Sequence, residues 1–141
     1  MRIMGIDAGS KRIGVALSDE LGLTAQPLTV VETSGGSSAA AARIAELCSE
    51  HEVERVVVGL PLALDGGDRG QSSRRARALG KTLTERGAVE VVFWDERFST
   101  AEAERVLVTA GVRRDKRRRV VDKLAAALIL QGYLDAESRE S

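Results

Sequence analysis

One cysteine (Cys48) and one histidine (His51) in 141 residues exclude two broad classes of chemistry. A single thiol forms no intramolecular disulfide and no thiolate metal site. Cys48 falls between Leu47 and Ser49 in a helical pattern, where a small buried hydrophobe is its expected role. His51, four residues from Leu47, is expected at the edge of the core rather than in catalysis. Aromatic residues make up 3%, so a core must be built from Val, Ile, Leu and Ala. No apolar run is long enough to span a bilayer, and the N-terminus lacks the apolar stretch of a signal peptide. The expected compartment is therefore the cytoplasm, with no membrane partner. An excess of either charge is missing too: 21 basic residues offset 21 acidic ones, so net charge gives no argument for nucleic acid.

What is present suffices for one compact domain over residues 1–141, with 43% hydrophobic residues to fill it. Charge is uneven along the chain. Residues 113–119 read Arg-Arg-Asp-Lys-Arg-Arg-Arg, whereas Glu46, Glu50, Glu52 and Glu54 cluster earlier. A local basic surface binds phosphates even on a neutral protein.

Residues 2–7 read as a short buried strand, 13–18 as a second and 27–31 as a third. The turn Ala8-Gly9-Ser10 is so short that the first two strands must be antiparallel neighbours. Ser37 or Ser38 is placed to cap a helix running to about Glu50, with Ile44, Leu47 and Cys48 on its apolar side. The run 55–60 is a strand buried on both faces. A glycine-rich stretch over 61–71 leads to a helix with Ala76, Leu79 and Leu83 inward, and 89–94 forms the fifth strand. Ser99-Thr100-Ala101-Glu102 is a capping box that opens another helix. A last helix carries Val121, Leu124, Ala125, Leu128 and Leu134, with the basic run 113–119 as a connection before it. A hairpin followed by alternating helix and strand predicts an α/β fold with a mixed five-stranded sheet flanked by helices.

Three acidic stations sit at the ends of these elements. Asp7 closes the first strand, Asp95 and Glu96 close the fifth, and Asp122 lies near the start of the last helix. If they converge, their mutual repulsion demands a cation, and hard oxygen ligands suit Mg²⁺ or Mn²⁺. Two such ions held by shared carboxylates are a recurring solution for phosphodiester cleavage. Adjacent residues of an extended segment face opposite ways, so one of Asp95 and Glu96 shares a side with Asp7, and Glu96 is favoured. Along a helix, Asp122 has Ala125, Ala126 and Ile129 on its own stripe, small enough for close approach to the sheet. The competing reading of Asp122 is an acid in the first turn that favours the helix dipole. Lys11, Arg12 and the basic run are candidates to hold a phosphate backbone, Arg with a bidentate fork and Lys as a point charge.

Four motifs resemble those of the YqgF/RuvX family. They are Gly5-Ile6-Asp7-Ala8-Gly9-Ser10-Lys11-Arg12-Ile13-Gly14-Val15-Ala16, Val57-Val58-Gly59-Leu60-Pro61 with Asp65-Gly66, Asp95-Glu96-Arg97 with Ser99-Thr100, and Val121-Asp122 with Ala125-Ala126 and Ile129-Leu130-Gln131. They occur in order over nearly the whole chain. The resemblance implies a ribonuclease H-like fold akin to the RuvC resolvases. It also implies a nuclease acting on the 5′ end of pre-16S rRNA, with Holliday-junction resolution as the rival activity. Carried over by motif, the metal ligands are Asp7, Glu96 and Asp122, with Asp95 beside them in the catalytic set. Lys11, Arg12, Arg97, Arg117 and Arg118 contact the nucleic acid. In the resolvases an acid follows the strand that corresponds to 55–60, whereas Leu60-Pro61-Leu62 follows here and Asp65 is the nearest carboxylate. A non-catalytic module that binds structured RNA is the remaining alternative. A junction resolvase must be a dimer to present two sites, whereas a monomer suffices for RNA processing.

Overall fold

The computed structural model describes residues 2–60, 70–87, 89–95 and 114–140, with side chains of the last stretch described over 122–137. Five strands are described: β1 (Arg2–Ala8), β2 (Arg12–Ser18), β3 (Ala25–Glu32), β4 (Val53–Leu60) and β5 (Glu90–Asp95). Three helices accompany them: α1 (Ser37–Glu50), α2 (Gln71–Glu85) and α3 (Arg114–Glu140). The strands form one sheet in the order β3-β2-β1-β4-β5. β2 pairs antiparallel with β1 and β3, while β4 pairs parallel with β1 and β5. The mixed five-stranded α/β expectation holds. The expected helix opened by Ser99 and the stretch 61–69 lie outside the described residues.

Strand alternation splits the core between the two faces of the sheet. Met4, Ile6, Ile13, Val15, Val56 and Val58 face α1 and α2, where they meet Ile44, Leu47, Ala76 and Leu83. Ala16 and Val57 face α3, where they meet Ala126, Ile129, Leu130 and Leu134. Val56, Val57 and Val58 are each fully buried, so β4 is covered on both sides as its unbroken apolar run requires. Each such side chain contributes about 1.5–3 kcal/mol relative to exposure. Cys48 is buried, which pushes its thiol pKa up to about 11 and keeps it un-ionised at neutral pH. His51 ends α1 at the core edge, half-buried.

Two expectations are corrected. Gly36 stands at the N-cap of α1 with no side-chain cap hydrogen bond, so Ser37 and Ser38 are the first residues of the helix rather than its cap. Residues 114–119 are not a connection before the last helix but its opening turns. Arg and Lys are good helix formers, and no Gly or Pro interrupts the chain between Arg114 and Gln131. Asp122 is accordingly the ninth residue of α3, about two turns in. That is beyond the reach of the N-terminal dipole, so the dipole explanation of Asp122 fails.

The hairpin tip between β2 and β3 is tied by Asp19, whose Oδ1 accepts hydrogen bonds from the Leu23 and Thr24 amides at 2.7 and 3.1 Å. Those bonds, Thr24 first, hold the Asp19 carboxyl below its usual pKa. A folded pKa below the unfolded one adds stability above the ordinary Asp range and loses it as pH falls through the lowered value. In an NMR pH titration, the Leu23 and Thr24 amide shifts should therefore move together, with a midpoint below that of an unstructured Asp peptide. A midpoint at or above the peptide value contradicts this arrangement. Gln131 fastens the same hairpin to α3: its side chain accepts from the Ala25 amide at 2.9 Å and donates to the Leu23 carbonyl at 3.0 Å.

Candidate active site at the carboxyl edge of the sheet

Because β1, β4 and β5 run parallel, their carboxyl ends share one edge of the sheet. Open α/β sheets hold ligands just outside that edge. Asp7 lies there, one residue before the end of β1, and Asp95 is the last residue of β5. The opening residue of β2, Arg12, pairs with the closing residue of β3, Glu32, at the same edge.

Facing is fixed by register. Asp7 stands directly opposite Gly14 on β2, with Cα atoms about 4.5–5.5 Å apart in such a pair. A Cβ at Gly14 would overlap the main-chain carbonyl oxygen of Asp122. Directly opposed residues share a face, so Asp7 projects on the α3 side, where Asp122 lies against Gly14. Two residues earlier on β1 the helix makes a second close approach: a Cβ at Gly5 would stand 2.6 Å from Leu130 Cβ and 2.8 Å from the Ala126 carbonyl oxygen. Ala125 and Ala126 are fully buried in this contact. Small residues on both partners thus let α3 descend onto β1 and β2 and set Asp122 on Gly14, the residue opposite Asp7.

Arg12 completes the cluster. Its Nε donates to Asp122 Oδ2 at 2.8 Å, with both side chains about three-quarters buried (24% and 22% exposed). This hydrogen bond is the main reason the Arg12 pKa is raised further, with Glu32 adding a smaller electrostatic contribution. Pairs of this exposure contribute about 1 kcal/mol or less to stability. The guanidinium therefore serves to orient Asp122 more than to hold the fold together. The sequence offers Arg12 as a candidate phosphate contact; its ion pair with Asp122, 110 residues away, leaves no local signal, and neither does Glu32 across the β2–β3 pairing.

The remaining predicted residues separate into three groups. Lys11 is exposed in the β1–β2 turn. Asp95 is exposed and pairs with Leu60, a residue of the α1/α2 core, so it projects on the opposite face from Asp7. Its neighbour Trp94 is the one on the α3 face, packed edge-on against Tyr133 with ring centroids 5.6 Å apart. Glu96, Arg97 and Asp65 lie outside the described residues, and Arg117 and Arg118 are described as α3 backbone only. Among the described residues no three His, Cys, Asp or Glu side chains gather closely enough to hold a metal ion. Asp7 and Asp122 are both hard oxygen donors, the type that suits Mg²⁺ or Mn²⁺.

A family model described as Holliday junction resolvase, RuvX, matches residues 1–136. The chain belongs to the RuvX family. A RuvX relative from Pelotomaculum thermopropionicum is 48% identical over 139 residues, which cover 99% of this chain and 90% of that protein. One from Myxococcus xanthus is 50% identical over 136 residues, 96% of this chain and 89% of that protein. Both carry the name "Putative pre-16S rRNA nuclease". Among solved structures, T. thermophilus RuvC in complex with Holliday junction substrate superposes with a TM-score of 0.58 at 20% identity, covering 98% of this chain and 96% of that one. The yeast mitochondrial Holliday junction resolvase Ydc2 gives a TM-score of 0.52 at 12% identity, covering 97% and 79%. The RuvX chain thus shares the ribonuclease H-like fold of these resolvases.

Proposed function

We propose that this chain is a metal-dependent endonuclease that hydrolyses a phosphodiester bond in maturing the 5′ end of pre-16S rRNA. The observation that carries the reading is that Asp7 stands opposite Gly14 while the main chain of Asp122 packs on the same glycine, with Arg12 bonded to one oxygen of Asp122. The names of the relatives in Pelotomaculum and Myxococcus supply the substrate class.

Asp7, Asp122 and Glu96 would hold the ions, two of Mg²⁺ or Mn²⁺. Trp94 faces α3 and Asp95 faces away, and this alternation supports Glu96 over Asp95 as the third ligand. Bound there, the ions supply an activated water and charge stabilisation at the leaving oxygen. The protein's own groups do the rest. Arg12 Nε fixes Asp122 through Oδ2 and leaves Oδ1 for a cation, while the other guanidinium nitrogens of Arg12 remain as donors to a phosphate. Lys11, exposed beside it, adds a point charge, and Arg97, Arg117 and Arg118, whose side chains lie outside the described residues, are proposed as further contacts to the nucleic-acid backbone. No thiol or imidazole nucleophile is required, which accords with a buried Cys48 and a core-edge His51. Such a substrate places the protein in the cytoplasm. Among the described residues no helix is long and apolar enough to cross a membrane.

A second reading, a Holliday junction resolvase, is favoured by the family description and by the RuvC fold. It requires a dimer, since a four-way junction is cut symmetrically by two sites; the RNA reading is satisfied by a monomer. Cleavage of a 5′-extended 16S rRNA precursor fragment and of a four-way DNA junction, each with Mg²⁺ or Mn²⁺, separates the two. Metal-dependent cutting of the RNA alone is the expected result. Paired symmetric nicks in the junction would transfer the assignment to resolvase. Tight binding without cleavage of either would leave a structured-RNA binder.

A further inference from the structure

The β1–β2 turn has a second side. Across the sheet edge from Asp7 and Asp122, a pocket of about 310 Å³ opens between this turn, the β3–α1 turn and the facing sides of α1 and α2. We infer that this pocket receives an unpaired nucleobase of the substrate strand next to the scissile phosphate. The inference rests on the nuclease reading and adds to it a residue set that selects unpaired strand over duplex.

The lining has the composition of a base pocket. Ile13 and Ala40, both buried, and Leu79, half-buried, supply an apolar floor. Polar groups stand at intervals around it. Thr33 Oγ1 donates to the Ser10 carbonyl at 2.7 Å, which fixes the turn and leaves the hydroxyl oxygen's lone pairs as acceptors. Among the described lining residues Arg75 carries the one formal charge, a positive one suited to an anionic polymer.

Arg75 is unlike the arginines used in the fold. Arg12, Arg43 and Arg55 each sit within 3.4 Å of a carboxylate oxygen. Among the described residues no carboxylate pairs with Arg75. Its Nε reaches the Ala8 carbonyl at 3.5 Å and its Nη2 reaches Ser72 Oγ at 3.4 Å, both at the far limit of hydrogen bonding. A guanidinium so loosely engaged retains donors for base carbonyl oxygens or for the flanking phosphate.

Position completes the case. Asp7 and Ala8 are consecutive, and Ala8 lines the pocket. The two face opposite sides of the sheet, so a strand that presents a phosphate to Asp7 and crosses the sheet edge brings a neighbouring base to the pocket mouth. The volume lies at the small end of the range for small-molecule sites, enough for a nucleoside but not for a duplex or a peptide helix. A base reaches such a site only when it is unstacked, as in single-stranded tails and loops.

The test uses two otherwise identical oligonucleotides, prepared in ribose and in deoxyribose form. One has a normal unpaired nucleotide beside the scissile bond and the other an abasic one. Single-turnover cleavage with Mn²⁺ by the full chain should be roughly tenfold slower on the abasic substrate. Ala78 is exposed on α2 and lines the pocket, so Ala78→Trp fills the space without entering the core. That variant should slow cutting of the normal substrate and erase the difference between the two. Fluorescence anisotropy without metal, using Asp7→Asn, should show the same preference in binding. Equal rates and equal affinities for both substrates, in wild type and in Ala78→Trp, would overturn the base pocket. Absence of any metal-dependent cutting would overturn the nuclease reading, and the anisotropy arm would still decide the pocket. A thermal melt of Ala78→Trp close to wild type is expected, and Arg75→Gln gives an independent loss of affinity without filling the cavity.

Discussion

Asp7→Asn is expected to reduce metal-dependent cleavage by on the order of 10³-fold or more, about 4 kcal/mol of transition-state stabilisation. Asn matches Asp in shape and removes one negative charge. Asp7 sits near the end of a rigid central strand, paired in register with Gly14 and facing the helix that carries Asp122. A neutral amide at that position weakens cation binding and forfeits whatever charge the cation was stabilising. Stability should barely change. Asp7 is half-exposed at a strand end, and substitutions at such sites usually stay within about 0.5 kcal/mol. Rate and melting temperature measured on one preparation check both halves of this expectation. Lost activity with an unchanged melt assigns Asp7 to the chemistry, whereas a parallel fall of several degrees in Tm assigns it to the fold.

Gly14→Ala should cost a large share of the stability, because its Cβ would make the closest approach of any of the described glycines. The new Cβ would occupy the position of the Asp122 carbonyl oxygen, a main-chain atom in the middle of a 27-residue helix. A flexible side chain would swing aside; here the sheet or the helix must move. Overpacking of this kind costs about 3 kcal/mol or more. For a chain of this size that corresponds to a Tm lower by roughly 10 °C. Gly35→Ala is the control, since its Cβ would meet only Ala39 Cβ at an ordinary 3.4 Å, and its effect should stay within about 0.5 kcal/mol. If Gly14→Ala melts like wild type, α3 does not rest on β2 as described. Cleavage by Gly14→Ala should also fall at temperatures where it remains folded, because Asp122 is displaced together with the carbonyl that collides.

Much of the fold is legible in the sequence because the signals are local. The all-apolar run of β4, the tight turn after Asp7 and the placement of Ile44, Leu47 and Cys48 each depend on a few neighbouring residues. The register argument for Asp95 and Glu96 is local in the same sense, and Trp94 on the α3 face agrees with it. What the sequence conceals is contact at long range. Gly5 and Gly14 read as ordinary small strand residues until α3 is seen lying on them. Arg12 reads as a free cation until Asp122 is seen on its Nε. Arg75 and Thr33 come from different elements and share a pocket only through the packing of α1 and α2 against the sheet edge. The basic stretch at 114–119 conceals its helix for another reason: a charged run looks like a connection, although Arg and Lys propagate a helix well.

We propose that Asp7 and Asp122 belong to one divalent-ion centre at the carboxyl edge of the sheet. The direct measurement is paramagnetic broadening of backbone amide signals on titration with Mn²⁺, in wild type and in Asp7→Asn. The account predicts selective loss of signals around Asp7–Ser10 and around Asp122 at low Mn²⁺, reversed by excess Mg²⁺ and absent in the variant. Broadening confined to other acidic surfaces, or unchanged by Asp7→Asn, would contradict it.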